Sequence, residues 1–201
     1  REHFHFFREC DDPFFGLMAE VEVTRAYARC KAEGLPFFLY NHYASIRAAN
    51  ETEPFRYRIR GEEVVVYDRI HVGTTLLRAD KTFSFCYLPY ETELDHFIAA
   101  GQAEMARVME TTGLGVNEQT SRDDQIFYST LPWINFTGLT HARKLHVQDS
   151  VPRISFGKIT RRGEQRFMPT SIYVHHSLMD AYHVGQYLER YQTRLEEEEE
   201  G

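Results

Sequence analysis

Hydrophobic and polar positions divide the chain into an uneven series of strands and helices. In Phe14–Thr24 (FFGLMAEVEVT), Val21 and Val23 alternate with Glu20 and Glu22, the period of a half-buried strand. Arg25–Glu33 has helical spacing and stops at Gly34, and Pro36 suits the first turn of a second helix reaching about Asn50. FRYRIR and EEVVVYD follow, joined at Gly61 as a hairpin, and IHVGTTLL and TFSFCYL add two strands before Pro89. Glu91–Thr112 places Leu94, Phe97, Ile98, Met105 and Val108 at helical spacing. QIFYSTLPWINF is strand-like as far as Pro132, and RISFGKITRRGEQRFMPTSIYVHH reads as a hairpin turning at Arg161–Glu164. A last helix runs from about Met179 to Leu195. Helices interrupt strands and hairpins without a βαβ repeat. The predicted fold is therefore α+β, a two-layer α/β sandwich in which helices cover one face of a mixed sheet.

Composition narrows the picture. With 201 residues and 42% hydrophobic content the chain can bury one sizeable core, so a single domain over residues 1–201 is expected. Its acidic end, residues 196–201, reads as a solvated tail. The net charge is −7 and no basic run exceeds Arg161-Arg162, which argues against a nucleic-acid partner. No stretch of eighteen apolar residues and no secretory leader are visible, so no membrane partner and a cytoplasmic location are expected. Cys10, Cys30 and Cys86 are odd in number and irregularly spaced, as suits reduced thiols. Fifteen Phe and twelve Tyr, many in strand-like segments, favour a large packed sheet.

The chemistry-bearing residues fall in two places. VHHSLMDAYHV (Val174–Val184) puts two histidines at a strand end, with Asp180 four residues after His176. If a helix starts near Ser177, that carboxylate lies one turn beyond the imidazole. A histidine fixed by a tight turn can serve as general base, its second nitrogen held by a hydrogen bond. The same residues also suit a capped turn, or with His183 part of a zinc site. Zinc would need more convergent ligands, and none are evident, so no metal is expected. His175 falls on the opposite face and reads as structural. The second place is STLPWINFTGL (Ser129–Leu139), where Pro132 bends the chain just after a strand and next to the sole tryptophan, Trp133. A serine before such a bend can donate to a developing oxyanion, or simply bond to the strand end. No Gly-x-Ser-x-Gly elbow makes it a nucleophile, and Gly113-x-Gly115 follows a helix rather than lying between a strand and a helix, which argues against a dinucleotide loop.

In chain order, REHFHFF, STLPWINFT and HHSLMDAYHV resemble the chloramphenicol acetyltransferases. That family has an Arg/Lys-Glu-His-Phe opening, a central Ser-x-x-Pro-Trp-x-x-Phe and a His-His-x-x-x-Asp-Gly-x-His motif before the last helix. The 47 residues from Ser129 to His176 suit the family spacing, and the resemblance spans nearly the whole chain. It implies a homotrimer with active sites at subunit interfaces and direct transfer of an acetyl group from acetyl-CoA to a hydroxyl of chloramphenicol or a related small molecule, with antibiotic resistance as the outcome. His176 would be the general base and Ser129 the oxyanion donor. Asp180 would order the site through an arginine salt bridge. Ser155 would help hold a water, Trp133 and Lys158 would contact CoA, and Phe6, Phe7 and Phe15 would line the acceptor pocket.

The chain also departs from the family. Ala181 replaces the motif glycine, Phe7 replaces a tyrosine, and the expected arginine partner of Asp180 would precede Arg1. Asp11-Asp12 stands where an apolar residue is usual. Two carboxylates there favour an alternative: the same chemistry on a more polar or cationic acceptor. A catalytically inactive trimeric ligand-binding homologue is the reading from another class. The acyltransferase core of 2-oxo acid dehydrogenase complexes shares the His-x-x-x-Asp-Gly motif, but the lipoyl domain and linker expected with it are not seen here.

Overall fold

The computed structural model describes residues 2–143 and 148–197. The expectation for the acidic end beyond Glu197 lies outside the described residues. In chain order the elements are α1 (Glu2–Arg8), β1 (Phe14–Glu22), α2 (Thr24–Glu33), α3 (Phe37–Asn50), β2 (Tyr57–Arg60), β3 (Glu63–Val66), β4 (His71–Leu77), β5 (Phe83–Leu88), α4 (Leu94–Met109), β6 (Gln125–Thr130), β7 (Arg153–Phe156), β8 (Thr160–Arg162), β9 (Gln165–His175) and α5 (Ala181–Glu196). Seven strands form one mixed sheet in the order β1-β9-β7-β6-β4-β5, with β8 paired to β9 alone. β6 runs parallel to both β4 and β7, and the other pairings are antiparallel. The fold is the α+β sandwich expected from the residue pattern.

The period of two in the central strands decides which face meets the helices. Ile126 and Tyr128 of β6, Ile154 and Phe156 of β7, and Ile172 and Val174 of β9 join a core with Tyr43 and Ile46 of α3, Phe97 of α4, and Val184, Tyr187 and Tyr191 of α5. Burying such side chains contributes roughly 1.5–3 kcal/mol each. The polar tips inside this layer are paired: Ser45 Oγ meets the hydroxyls of Tyr128 and Tyr187 at 2.9 and 2.7 Å, and Tyr191 donates to Asn41 at 2.6 Å. The intervening residues, Phe127, Ser129, Arg153, Ser155, Ser171 and Tyr173, face the other way, toward the segment that follows β6. There the rings of His141 and Tyr173 lie 5.6 Å apart.

Several boundaries differ from the residue pattern. The hairpin at Gly61, with φ +58°, forms as expected but makes a separate two-stranded sheet. Pro36 is the N-cap of α3 rather than a first-turn residue, and α4 ends near Met109. Helix α5 begins at Ala181, not near Ser177, because Asp180 caps it. The helix α1 carries no buried residue, and nothing in its composition marked it as helical beforehand.

Candidate active site

His176 leaves β9 one residue beyond the last strand position. Its backbone N–H donates to Pro13 O at 2.7 Å, and its Nδ1 lies 3.2 Å from Met179 O. A carbonyl only accepts, so Nδ1 carries the hydrogen and Nε2 keeps the lone pair. The turn Leu178–Met179 closes back on His175 O, at 3.0 and 3.3 Å, and so sets the carbonyl that orients the ring. Aromatic side chains enclose the imidazole: Phe7 stacks on it at 3.7 Å and 15°, and Phe15 tilts against it at 4.4 Å. His3 adds an edge contact at 5.2 Å and bonds through Nε2 to His176 O. Of the three phenylalanines singled out from the sequence, Phe7 and Phe15 therefore gather at His176. Phe6 is 69% exposed and touches Phe7 instead.

His175, pointing the opposite way as expected, is buried against Phe14 and accepts the Ser177 N–H at 3.2 Å. Burial, reinforced by Arg143, pushes its imidazole down to about 4, so it stays neutral. Asp180 finds its partners in its own helix. Its Oδ1 accepts from the N–H groups of Tyr182 and His183 at 3.0 and 3.4 Å, and His183 Nδ1 lies 2.9 Å away. Its partial burial raises the carboxyl, but the His183 ring and these N–H groups outweigh that and hold it below the usual range. Within the described residues Asp180 thus serves as the cap of α5. Asp180 Oδ1 and the Asp180 N–H both approach His183 Nδ1, as donor-seeking and acceptor-seeking partners of one atom, so the ring's proton decides which contact dominates.

Ser129 sits on β6, in register with Ser155 of β7, which in turn pairs with Ser171 of β9. The three serines form a polar row across the sheet face opposite the helix layer. Ser155 Oγ is fully buried without a hydrogen-bond partner. Ser129 opens into a cavity of about 340 Å³ whose walls include Thr75, Phe85, Phe127, His141 and Arg153. Its neighbour Thr130 faces the helix layer and opens into a second cavity, about 490 Å³, with Tyr27, Phe37, Phe38, Pro132 and Lys158. Pro132 turns the chain between Leu131 and Ile134, where Ile134 N–H donates to Leu131 O at 3.1 Å. That turn leaves Trp133 60% exposed. Lys158 is exposed, with its backbone N–H tied to Ile134 O at 2.8 Å.

His176 lines neither cavity. Ser171 is the β9 residue level with Ser129, and His176 lies five residues further along. At ~3.3 Å per residue and ~4.8 Å per strand, the two functional groups are on the order of 15–20 Å apart within one chain.

The sequence reasoning missed His141, Arg143 and Arg153. Arg153 shares the two-residue period of Ser155 and so belongs to the same face, a signal that was available. His141 and Arg143 lie in THAR, where no periodicity marks an inward side. Arg143 pairs with Asp12 and lies over the Phe14 ring at 3.6 Å. Asp12 also accepts from Tyr173 Oη at 3.3 Å. The Asp11-Asp12 pair is exposed and Asp12 is paired, so no lone carboxylate sits in an apolar pocket. Among the described residues, no group of three or more His, Cys, Asp or Glu is placed to hold a metal ion, and no helix is long and apolar enough to cross a membrane.

The geometry of a turn-held histidine and a strand-end serine can be set beside known proteins. A family model described as chloramphenicol acetyltransferase matches residues 1–192. The chain belongs to the chloramphenicol acetyltransferase family. It is an acyltransferase. Chloramphenicol acetyltransferase 3 of Escherichia coli is 26% identical over 193 residues, covering 96% of this chain and 90% of that protein. Chloramphenicol acetyltransferase of Bacillus pumilus is 25% identical, covering 94% and 86%. A solved chloramphenicol acetyltransferase structure superposes with a TM-score of 0.89 at 29% identity, covering 96% of this chain and 94% of that one. A probable dihydrolipoamide acetyltransferase from Listeria monocytogenes shares the fold, with a TM-score of 0.69 at 12% identity over 97% of this chain and 88% of that one.

Proposed function

We propose that the chain is an acetyl-CoA-dependent O-acetyltransferase acting on chloramphenicol or a related small hydroxyl compound. We read it as a cytoplasmic homotrimer whose active sites lie between subunits. The observation that carries this reading is the pairing of a tautomer-fixed imidazole on one part of the surface with a serine-lined cavity on another. They are too far apart in one chain to act on one carbonyl. Two copies, placed so that the His176 of one faces the Ser129 cavity of the next, supply a complete site.

The chemistry then follows from the side chains. His176 Nε2 takes the proton of the acceptor hydroxyl as that oxygen attacks the thioester carbonyl of acetyl-CoA. The carbonyl oxygen becomes an alkoxide and is met by the Ser129 hydroxyl, where a donor acts most strongly. Collapse of the tetrahedral intermediate breaks the carbon–sulfur bond, and the departing CoA sulfur takes the proton back from the His176 imidazolium. No acyl-enzyme forms. The unpartnered Ser155 hydroxyl supports a water near the intermediate. The Lys158 cavity, with the exposed Trp133 next to its wall residue Pro132, suits the CoA arm, and the Ser129 cavity suits the acceptor. Phe7 and Phe15 reach that acceptor from the neighbouring subunit, with Phe6 at the edge. Asp180 holds the turn that aims His176. A more polar acceptor is the second reading, and the His141 and Arg153 side chains in the Ser129 cavity favour it.

The test is thiol release from acetyl-CoA, with and without chloramphenicol, for wild type beside His176→Ala. Chloramphenicol-dependent release that falls by several orders of magnitude in a folded His176→Ala is expected. Turnover retained in that variant would end the general-base assignment.

A further inference from the structure

Of the residues lining the Ser129 cavity, His141 has a role that the proposed chemistry leaves open. Its Nε2 is buried and has no hydrogen-bond partner. Leaving a buried polar atom unpaired is costly, and a ligand that supplies the missing partner removes that penalty. The ring is also held in place. It packs on Tyr173, whose hydroxyl donates to Asp12, and Asp12 is paired with Arg143. Arg143 in turn lies over Phe14, and its side chain is 6% exposed. Burial first, then the adjacent Arg153 charge, lowers the His141 imidazole from its usual value, which keeps it neutral and able to donate or accept. The neighbouring cations do not compete for an anion: Arg153 bonds to Asp149 at 2.5 Å and Arg143 to Asp12. The remaining walls include Phe85, Phe127, Val116 and Ala142, and these make no hydrogen bonds through their side chains.

We infer that His141 is a specificity-determining residue, whose Nε2 hydrogen-bonds a second, uncharged polar group on the acceptor, apart from the hydroxyl that is acetylated. The favoured acceptor is a compact aromatic or aliphatic alcohol carrying an additional hydroxyl, amide or carbonyl. A simple mono-alcohol leaves His141 unpaired and is disfavoured. A cationic acceptor gains nothing, since the Asp12 carboxylate is already engaged. This inference rests on the acetyl-transfer reading for its first readout and is independent of it for its second.

The first readout compares kcat/KM for chloramphenicol, which has an amide and a second hydroxyl, with that for 3-phenylpropan-1-ol, which has only the reacting hydroxyl. His141→Leu should lower the value for chloramphenicol by about 10-fold or more, leave the mono-alcohol unchanged or improved, and leave KM for acetyl-CoA unaltered. His141→Gln places an amide nitrogen near the Nε2 position and should restore part of the loss. An equal effect on both acceptors, or none on their ratio, overturns the inference. The second readout is the His141 ring resonances in ¹⁵N-histidine-labelled protein, assigned by their loss in His141→Gln and followed while chloramphenicol is added without acetyl-CoA. A shift of the Nε2 resonance supports the contact even if no acetyl transfer is found, in which case only the catalytic reading fails. Binding without any such shift overturns the inference, as does a complete lack of binding.

Discussion

The His42 imidazole is enclosed between α3 and the sheet, with Nδ1 donating to Phe38 O at 2.7 Å and Nε2 3.3 Å from the Thr74 hydroxyl. Burial pushes it down to about 4, whereas His176 is only partly buried. His176 is marked in the sequence by its motif, whereas nothing in the sequence marks His42, because the layer that encloses it is visible only in the fold. The buried ring has a consequence for stability. An unfolded imidazole binds its proton near 6.5, and folded His42 does so only near 4. Between those values the unfolded state binds more protons, so stability is complete above about pH 6.5 and falls as pH drops toward 4. The loss is roughly 3 kcal/mol for this one group. Urea unfolding at several pH values between 7 and 4.5 should show the decline, with a flatter profile in His42→Gln even if that variant starts less stable. Parallel profiles would contradict the assignment.

At the scale of elements, most strands and helices were legible because their periods of two and 3.6 are undisturbed. β1, β4 and β5 fall within the predicted runs, and Gly34, in the left-handed region at φ +70°, ends α2 where the pattern stopped. The exceptions have local causes. Asp180 engages the first free N–H groups of α5, so the residues from Ser177 to Met179 form a turn instead of a helical start. This turn carries the carbonyl that orients His176, so under the proposed mechanism the cap connects helix stability to catalysis. Asp180→Ala should cost about 1 kcal/mol in chemical unfolding and also lower kcat. Asp180→Asn can still accept the N–H groups, so it should keep most of the stability. If both variants were equally stable and equally active, the cap would not be what positions the histidine. The short α1 was not legible, since its three phenylalanines and two histidines show no complete helical repeat; it is held by Phe7 and His3 against His176 and by Arg8 against Glu62 at 2.6 Å.

At the scale of the whole molecule, the candidate site was legible as motifs and not as a place. The Ser129 and His176 segments could be named from residue types and order. Their separation in one chain arises from register: the serine row crosses the middle of the sheet, and the histidine lies beyond the far end of β9. No periodicity encodes that distance. Large side chains left exposed along the strands, Met18, Leu77, Phe83 and Phe85 among them, fit the proposed association, which would cover part of that apolar surface. A site shared between copies makes a prediction that no single-chain site can imitate. Ser129→Ala and His176→Ala are each expected to be nearly inactive alone, since every site in the proposed trimer would lack one function. Unfolded together at equal amounts and refolded, the two variants should form mixed trimers in which about a quarter of the interfaces combine an intact serine from one copy with an intact histidine from the next. Recovery of about a quarter of wild-type chloramphenicol acetylation would establish that the two residues act across an interface. Activity no greater than that of the separate variants, from mixed trimers shown to have formed, would contradict it.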